Sequence, residues 1–244
     1  MFYFSYINGK KVLKSDIIRT EHFFTTRESI IKSKEPKSQL LVANNRIDIC
    51  KYLNVSENNL IHPSQTHSSN VVLADKTIKD YPDTDGLIVD SSGIAVFLNF
   101  ADCTPLIFYD EKHNIGAVSH AGWRGTASRI AAKTVEKMCA DFNSAPSDIF
   151  VAIGPAISFC CYNVGEEVYE QLKASVEDFA GLSEIREGNI FVDLKRINER
   201  QLTECGVKQI DIAPFCTCCN NDLFFSYRKE NGTTDRHSAV LKLK

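Results

Sequence analysis

Apolar and polar side chains alternate at the start of the chain. Phe2, Phe4 and Tyr6 take every second position before Asn8-Gly9, a pattern that predicts a β-hairpin over residues 2–14 with a two-residue turn of positive φ. Residues 21–27 read as a further short strand, the polar, Lys-rich stretch from Glu28 to Ser38 as a mobile loop, and Asn45 to Leu53 as a short helix. Strands at 59–63 and at Val71–Leu73 flank the segment HPSQTH. Asp85-Gly86 marks a turn ahead of the strand LIVD. IAVFLNF and LIFYD make two strands around ADCTP, and IGAVSH makes another.

Spacings of three and four then take over. Ile130, Ala131, Thr134, Val135 and Met138 share one face of a helix predicted from Arg124 to Phe142. DIFVAIGP is a strand. Val164, Val168, Leu172 and Val176 stripe a second helix, and Leu194, Ile197, Gln201 and Cys205 a third behind an Asp193 N-cap. QIDIAPF, FFSYR and AVLKL close the chain as strands, the last two joined through Asn231-Gly232. Many strands, with helices mainly in the second half and no linker or repeat, predict one mixed α+β or α/β domain spanning residues 1–244.

A chain of 244 residues buries about 70–75% of its unfolded surface, so it needs neither disulfide nor metal merely to fold. Its 28 Lys and Arg against 31 Asp and Glu leave a net charge of −3, which argues against nucleic acid or an anionic membrane as partner. No stretch approaches about 18 apolar residues, and the N-terminal apolar run is too short for a signal sequence. Nine cysteines without the spacing of a secreted framework point to a reducing, cytoplasmic setting.

Three strand ends carry chemistry: HPSQTH with His62 and His67, ADCTP with Asp102 and Cys103, and HAGWRG with His120, Trp123 and Arg124. Two imidazoles and a thiolate suffice for a catalytic zinc with one open position. Separations of 36 residues (67 to 103) and 17 (103 to 120) match no local zinc-finger spacing, and a buried Cys with two hydrogen-bonded core histidines fits the pattern too. In HAGWRG, a helix N-terminus beside Arg124 could hold an oxyanion, or Gly122 and Gly125 simply make a tight turn.

QTH at His67, Asp85-Gly86, ADCTP, HAGWRGT, GPAISFCCYNVG and CTCC followed by FFSYR together resemble the YfiH family. That family is also known as the multi-copper polyphenol oxidase or laccase-domain family and, in some bacteria, as peptidoglycan editing factor. The likeness runs from about Arg27 to Arg236. It implies a single-domain, layered α/β/β/α sandwich with zinc on His67, Cys103 and His120. The implied activity is purine nucleoside phosphorolysis of adenosine, inosine, guanosine and methylthioadenosine, with adenosine deamination besides. No nicotinamide or flavin is implied, and a homodimer is.

On this reading Arg124, Arg27 and Arg46 are the candidates for phosphate, and Asp102 either transfers a proton, supports the site or caps the turn. The sequence departs from the family pattern at Ser68, at the missing Gly-Gly-Val-Ser after Arg27, and at Asp235. The metal triad is untouched by these changes, whereas the second bears on Arg27.

Two rival chemistries share these residues. A copper polyphenol oxidase needs a trinuclear cluster usually built from His-x-His pairs; this chain has six His and no such pair, although one His₂Cys site can bind Cu²⁺. A cysteine-dependent hydrolase, editing a cell-wall precursor, would use Cys103 as nucleophile and His120 or His67 as base. Cys160, Cys161, Cys216, Cys218 and Cys219 are either a second metal centre or small buried residues, and Trp123 either stacks on a purine or fills the core.

Overall fold

The computed structural model describes residues 1–244. Along the chain lie strands β1 (Phe2–Ile7), β2 (Lys10–Ser15) and β3 (Glu21–Thr25), helix α1 (Gln39–Leu53), and strands β4 (Leu60–Ile61), β5 (Val71–Leu73), β6 (Gly86–Val89), β7 (Ala95–Phe100), β8 (Thr104–Asp110) and β9 (Ile115–Ala121). Helices α2 (Trp123–Ala127) and α3 (Ile130–Phe142) follow, then β10 (Ile149–Ile153), β11 (Asn163–Val164), α4 (Glu166–Lys173), β12 (Ser183–Arg186), β13 (Asn189–Val192), α5 (Leu194–Glu204), β14 (Gln209–Ile212) and β15 (His237–Lys242).

The strands form two six-stranded sheets, ordered β1-β2-β3-β15-β7-β4 and β14-β10-β8-β9-β6-β5, and a small sheet β11-β13-β12. Strands β6, β7, β8 and β9 are buried on both faces, which is why they read as apolar runs. On β8, Ile107 and Tyr109 face the first sheet, where they meet Val96, Leu98 and Leu241, while Leu106 and Phe108 face Ile130, Val135 and Met138 of α3. On β7, Ala95 and Phe97 point outward to Ile49, Cys50 and Leu53 of α1. The layers are therefore helix, sheet, sheet, helix, as the family likeness implied.

Close approach of the sheets depends on small residues. A Cβ on Gly154, just beyond β10, would lie 2.3 Å from the Phe24 ring of β3, and one on Gly116 of β9 2.6 Å from Leu241. Fully buried rings such as Phe24, Phe97 and Phe108 each contribute about 1.5–3 kcal/mol in transfer free energy.

Most predicted elements are present, with instructive exceptions. The helix expected from Arg124 to Phe142 is two helices, broken at Arg129, which takes φ 60° and whose side chain donates to Glu204 at 3.0 Å. FFSYR is not a strand: Phe224 and Phe225 are buried, but the backbone turns, with Glu230 N–H donating to the Ser226 carbonyl and Gly232 N–H to the Tyr227 carbonyl. Residues 28–38 are not a free loop, because Ile31 is fully buried and Lys32 pairs with Arg236 in an antiparallel bridge. Helix α1 begins at Gln39, six residues before the expected start, and α4 ends before Val176. The β12–β13 hairpin escaped notice although Glu187-Gly188 supplies two positive φ values. No helix is long and apolar enough to cross a membrane.

Candidate metal centre and adjoining cavity

Strand β7 of the first sheet passes into β8 of the second through only Ala101, Asp102 and Cys103. A crossing this tight requires Asp102 to take φ 88°. Its carboxylate is held in place, one oxygen accepting from the Thr217 hydroxyl at 2.6 Å and the other from the Arg228 amide at 2.7 Å. Cys103 thus stands at the gap between the sheets. His120 reaches the same gap from β9, opposite Pro105 of β8, and His67 arrives from the loop between β4 and β5.

One buried carboxylate positions both histidines. Asp85, 0% exposed, accepts from the amides of Thr66, His67 and Ser68 at 3.0, 3.2 and 2.8 Å and from the Ser68 hydroxyl at 2.9 Å. These bonds hold the loop in which His67 adopts a left-handed φ of 66°. The same carboxylate takes the Nδ1 proton of His120 at 2.7 Å, which leaves the His120 Nε2 lone pair free for a ligand. Burial works against the charge on Asp85, but the bonds from His120 and the amides prevail and hold its pKa down to about 2.

The ligand atoms of His67, Cys103 and His120 all lie within 4.8 Å of one another. Bond lengths of about 2.0–2.3 Å in a tetrahedral zinc site place donors roughly 3.3–3.8 Å apart, so the triad fits one such ion with a fourth position open. Gly122 completes the cradle: a Cβ there would lie 2.8 Å from His67 Cδ2, 3.1 Å from the Cys103 sulfur and 3.8 Å from His120 Cε1. Without metal the thiol and imidazole form an ion pair. Burial raises the Cys103 pKa, yet His120 and His67 bring it down to about 6. Burial likewise lowers that of His120, and Cys103 and Asp85 bring it up to about 9.

A cavity of about 670 Å³ opens over the triad. Gln65, Asn99, Tyr162 and Tyr227 supply polar and aromatic walls, and Lys32, Lys34, Arg228 and Arg236 supply positive charge. Desolvation and the nearby Arg236, Arg46 and Lys34 all lower the pKa of Lys32, whereas Asp102 and Asp235 partly offset the desolvation of Arg236.

Asp102, Cys103, His67 and His120 line this cavity, whereas the three arginines expected at phosphate do not. Arg27 pairs with Glu230 at 2.7 Å and stacks on Phe225, and Arg46 donates to the Ile31 carbonyl at 3.1 Å. Arg124 is exposed and lies over the Trp123 ring at 4.2 Å, while Trp123 packs into the satellite core around α4 and α5. Sequence reading passed over Asp85, Gly122, Lys32 and Arg236. Asp85 and Gly122 carry the local signal of turn residues, and Lys32 lies in a polar stretch with no periodicity to place it.

Residues 31–244 match the family model described as multi-copper polyphenol oxidoreductase laccase. A curated relative named purine nucleoside phosphorylase YlmD, from Geobacillus stearothermophilus, is 36% identical over 213 residues, covering 82% of this chain and 78% of its own. A protein named adenosine deaminase RL5, from an unknown prokaryotic organism, is 34% identical over 78% of this chain and 77% of its own. Among solved structures, the Bacillus licheniformis hypothetical protein YfiH superposes with a TM-score of 0.90 at 29% identity, covering 99% of both chains. YlmD from Geobacillus stearothermophilus gives 0.88 at 30% identity over 96% of both. With this fold, the quoted motifs and these matches together, the chain belongs to the multi-copper polyphenol oxidoreductase laccase family, the YfiH family.

Proposed function

We propose that this chain is a zinc-dependent purine nucleoside phosphorylase acting on adenosine, inosine, guanosine and methylthioadenosine, with adenosine deamination as a second activity. The observation that carries this reading is one cavity that joins a three-ligand metal cradle to four cations, Lys32, Lys34, Arg228 and Arg236. The names of the relatives, phosphorylase and deaminase, point the same way.

Phosphorolysis transfers ribose from the purine nitrogen to a phosphate oxygen, and the anion must be held beside C1′ as the ring gains positive character. Lys32 and Arg236, joined through their backbone bridge, are placed to hold phosphate, with Lys34 and Arg228 at the same wall. The Tyr227 ring, 57% exposed, offers a face for the purine, while the Gln65 amide is held on the Asn99 backbone and stiffens the floor beneath it. Asp102 acts as a positioning residue, since both its oxygens are engaged in fastening the Thr217 and Arg228 segments to the cavity floor. When bound through His67, Cys103 and His120, zinc supplies a Lewis acid that acidifies water and polarises the base, the chemistry that deamination needs.

The test is release of hypoxanthine from inosine with and without phosphate. Phosphate-dependent release that is lost in Cys103→Ser supports the reading, and release independent of phosphate overturns it. A second reading rests on the metal-free geometry, in which Cys103, His120 and Asp85 stand as nucleophile, base and orienting carboxylate of a thiol hydrolase. Alkylation of Cys103 in protein carrying its full complement of zinc would favour that alternative.

A further inference from the structure

Four cysteines outside the described site converge beside the cavity wall that carries Ile157 and Tyr162. Cys160 and Cys161 lie in the turn after β10, and Cys216 and Cys219 in the turn after β14, yet all four sulfur atoms are within 4.8 Å of one another. The Cys219 sulfur is 3.5 Å from that of Cys160 and 3.4 Å from that of Cys161. We propose that these four thiolates bind a second zinc ion, a closed tetrahedral Cys₄ centre that fixes the wall of the cavity.

The spacing fits this ion and disfavours the alternatives. Four thiolates at about 2.3 Å from zinc are about 3.8 Å apart along each tetrahedral edge. A disulfide would require about 2.05 Å. The sulfurs enclose room for one ion and none for a multi-iron cluster. Nor are these the small buried core residues that composition allowed, since Cys160 and Cys219 are exposed and only Cys216 is buried.

The backbone is shaped for a bound thiolate. Cys216-Thr217-Cys218-Cys219 has the C-x-x-C spacing of a zinc knuckle, and the Cys216 sulfur accepts from the amide of Ser158 at 3.4 Å. Charge points the same way. Zinc with four thiolates carries a net charge of two negative units, and Lys195, only 6% exposed, sits nearby with its ammonium donating to the carbonyls of Ala213 and Phe215 rather than to a carboxylate. Arg228 and Arg186 donate to the carbonyls of Cys161 and Phe159 in the same turn.

The centre has a mechanical consequence. Its two turns meet in a parallel bridge between Ala156 and Cys216. The first turn carries Ile157 and Tyr162 into the cavity, and the second carries Thr217, which holds Asp102. A zinc ion here therefore secures the cavity wall that carries Ile157 and Tyr162, together with Thr217, without joining the His67, Cys103 and His120 cradle.

The test uses the full-length His67→Ala/Cys103→Ser variant, in which the first site is removed, purified without added metal. Elemental analysis is expected to find one zinc per chain, against two in the unaltered protein. Its cobalt-exchanged form is expected to show the sulfur-to-cobalt charge transfer and strong visible bands of a tetrahedral tetrathiolate. Adding Cys160→Ser and Cys219→Ser should abolish both signals, whereas adding Cys218→Ser should leave them. A metal-free His67→Ala/Cys103→Ser chain whose thiols react freely without a chelator overturns the proposal, as does a disulfide among the four cysteines in peptide mapping. The cobalt spectrum decides the question even where a cysteine variant fails to fold, and it does not depend on the phosphorylase reading.

Discussion

Replacing Gly122 by Ala tests the metal cradle with a single methyl group. Its backbone, φ −70° and ψ 173°, is open to any residue, so the substitution strains no backbone and its cost to folding is that of crowding, about 1–3 kcal/mol. The methyl carbon would sit 2.8 Å from His67 Cδ2 and 3.1 Å from the Cys103 sulfur. Ordinary contact begins near about 3.5 Å, so the imidazole must retreat by roughly 0.7 Å and the sulfur by roughly 0.4 Å. Metal–ligand distances tolerate only about 0.2 Å. In the metal-free protein the exposed His67 ring can swing aside, but it cannot do so and remain a ligand. Zinc affinity should therefore fall at least about 10- to 100-fold, the range seen when the support of a ligand is lost. Competition against a chromophoric chelator measures that affinity, with a thermal melt of the metal-free protein as control. If Gly122→Ala binds zinc within threefold of the unaltered protein, the three side chains are not jointly its ligands.

Asp85→Asn should cost about 3–5 kcal/mol in urea unfolding at neutral pH. An amide can accept along only one edge, so its NH₂ must oppose either His120 and His67 or Thr66 and Ser68, each lost bond costing about 1–3 kcal/mol. Lys32→Ala should raise KM for phosphate about 10- to 100-fold while leaving KM for inosine near its original value, the loss of one charge-assisted contact. Burial keeps His22 and His237 neutral in the fold down to pKa values of about 4 and 3, against 6.5 in the unfolded chain. The unfolded state alone takes up these protons as pH falls below 6.5. Stability contributed by each histidine is thus complete above that pH and declines by about 1.4 kcal/mol per unit toward pH 4. His237→Leu should remove one proton's share of that slope in denaturant titrations between pH 6 and 4.5, and an unchanged slope would refute the assignment.

Local pattern carried a long way in this molecule. The Asn8-Gly9 hairpin, the buried strands from LIVD to IGAVSH, and the α5 helix with Asp193 accepting from the Arg196 amide at 3.1 Å all follow from short-range periodicity and turn chemistry. The misread segments are those where a distant contact overrides the local signal. The helical stripe is continuous, yet the backbone turns left-handed at Arg129, whose guanidinium bonds Glu204 and the Ser175 carbonyl. FFSYR has strand composition, but its two phenylalanines are buried while its backbone turns on itself. The polar 28–38 stretch is pinned by one apolar residue, Ile31, and by the bridge to Arg236, more than two hundred positions away.

The sequence by itself determined the mixed α/β character, through strand-length apolar runs and helical stripes, while the layered sandwich and the triad of His67, Cys103 and His120 came through the family likeness of its ordered motifs. Only the tertiary structure decided what surrounds them: that Asp85 orients both histidines, that Lys32 and Arg236 rather than Arg27, Arg46 or Arg124 line the cavity, and that two pairs of cysteines meet beside its wall. The physical reason is that periodicity is set by neighbours along the chain. Ligand geometry, desolvation and charge depend instead on which strands lie side by side, and here that is fixed by the crossing from β7 to β8 and the packing of one sheet on the other.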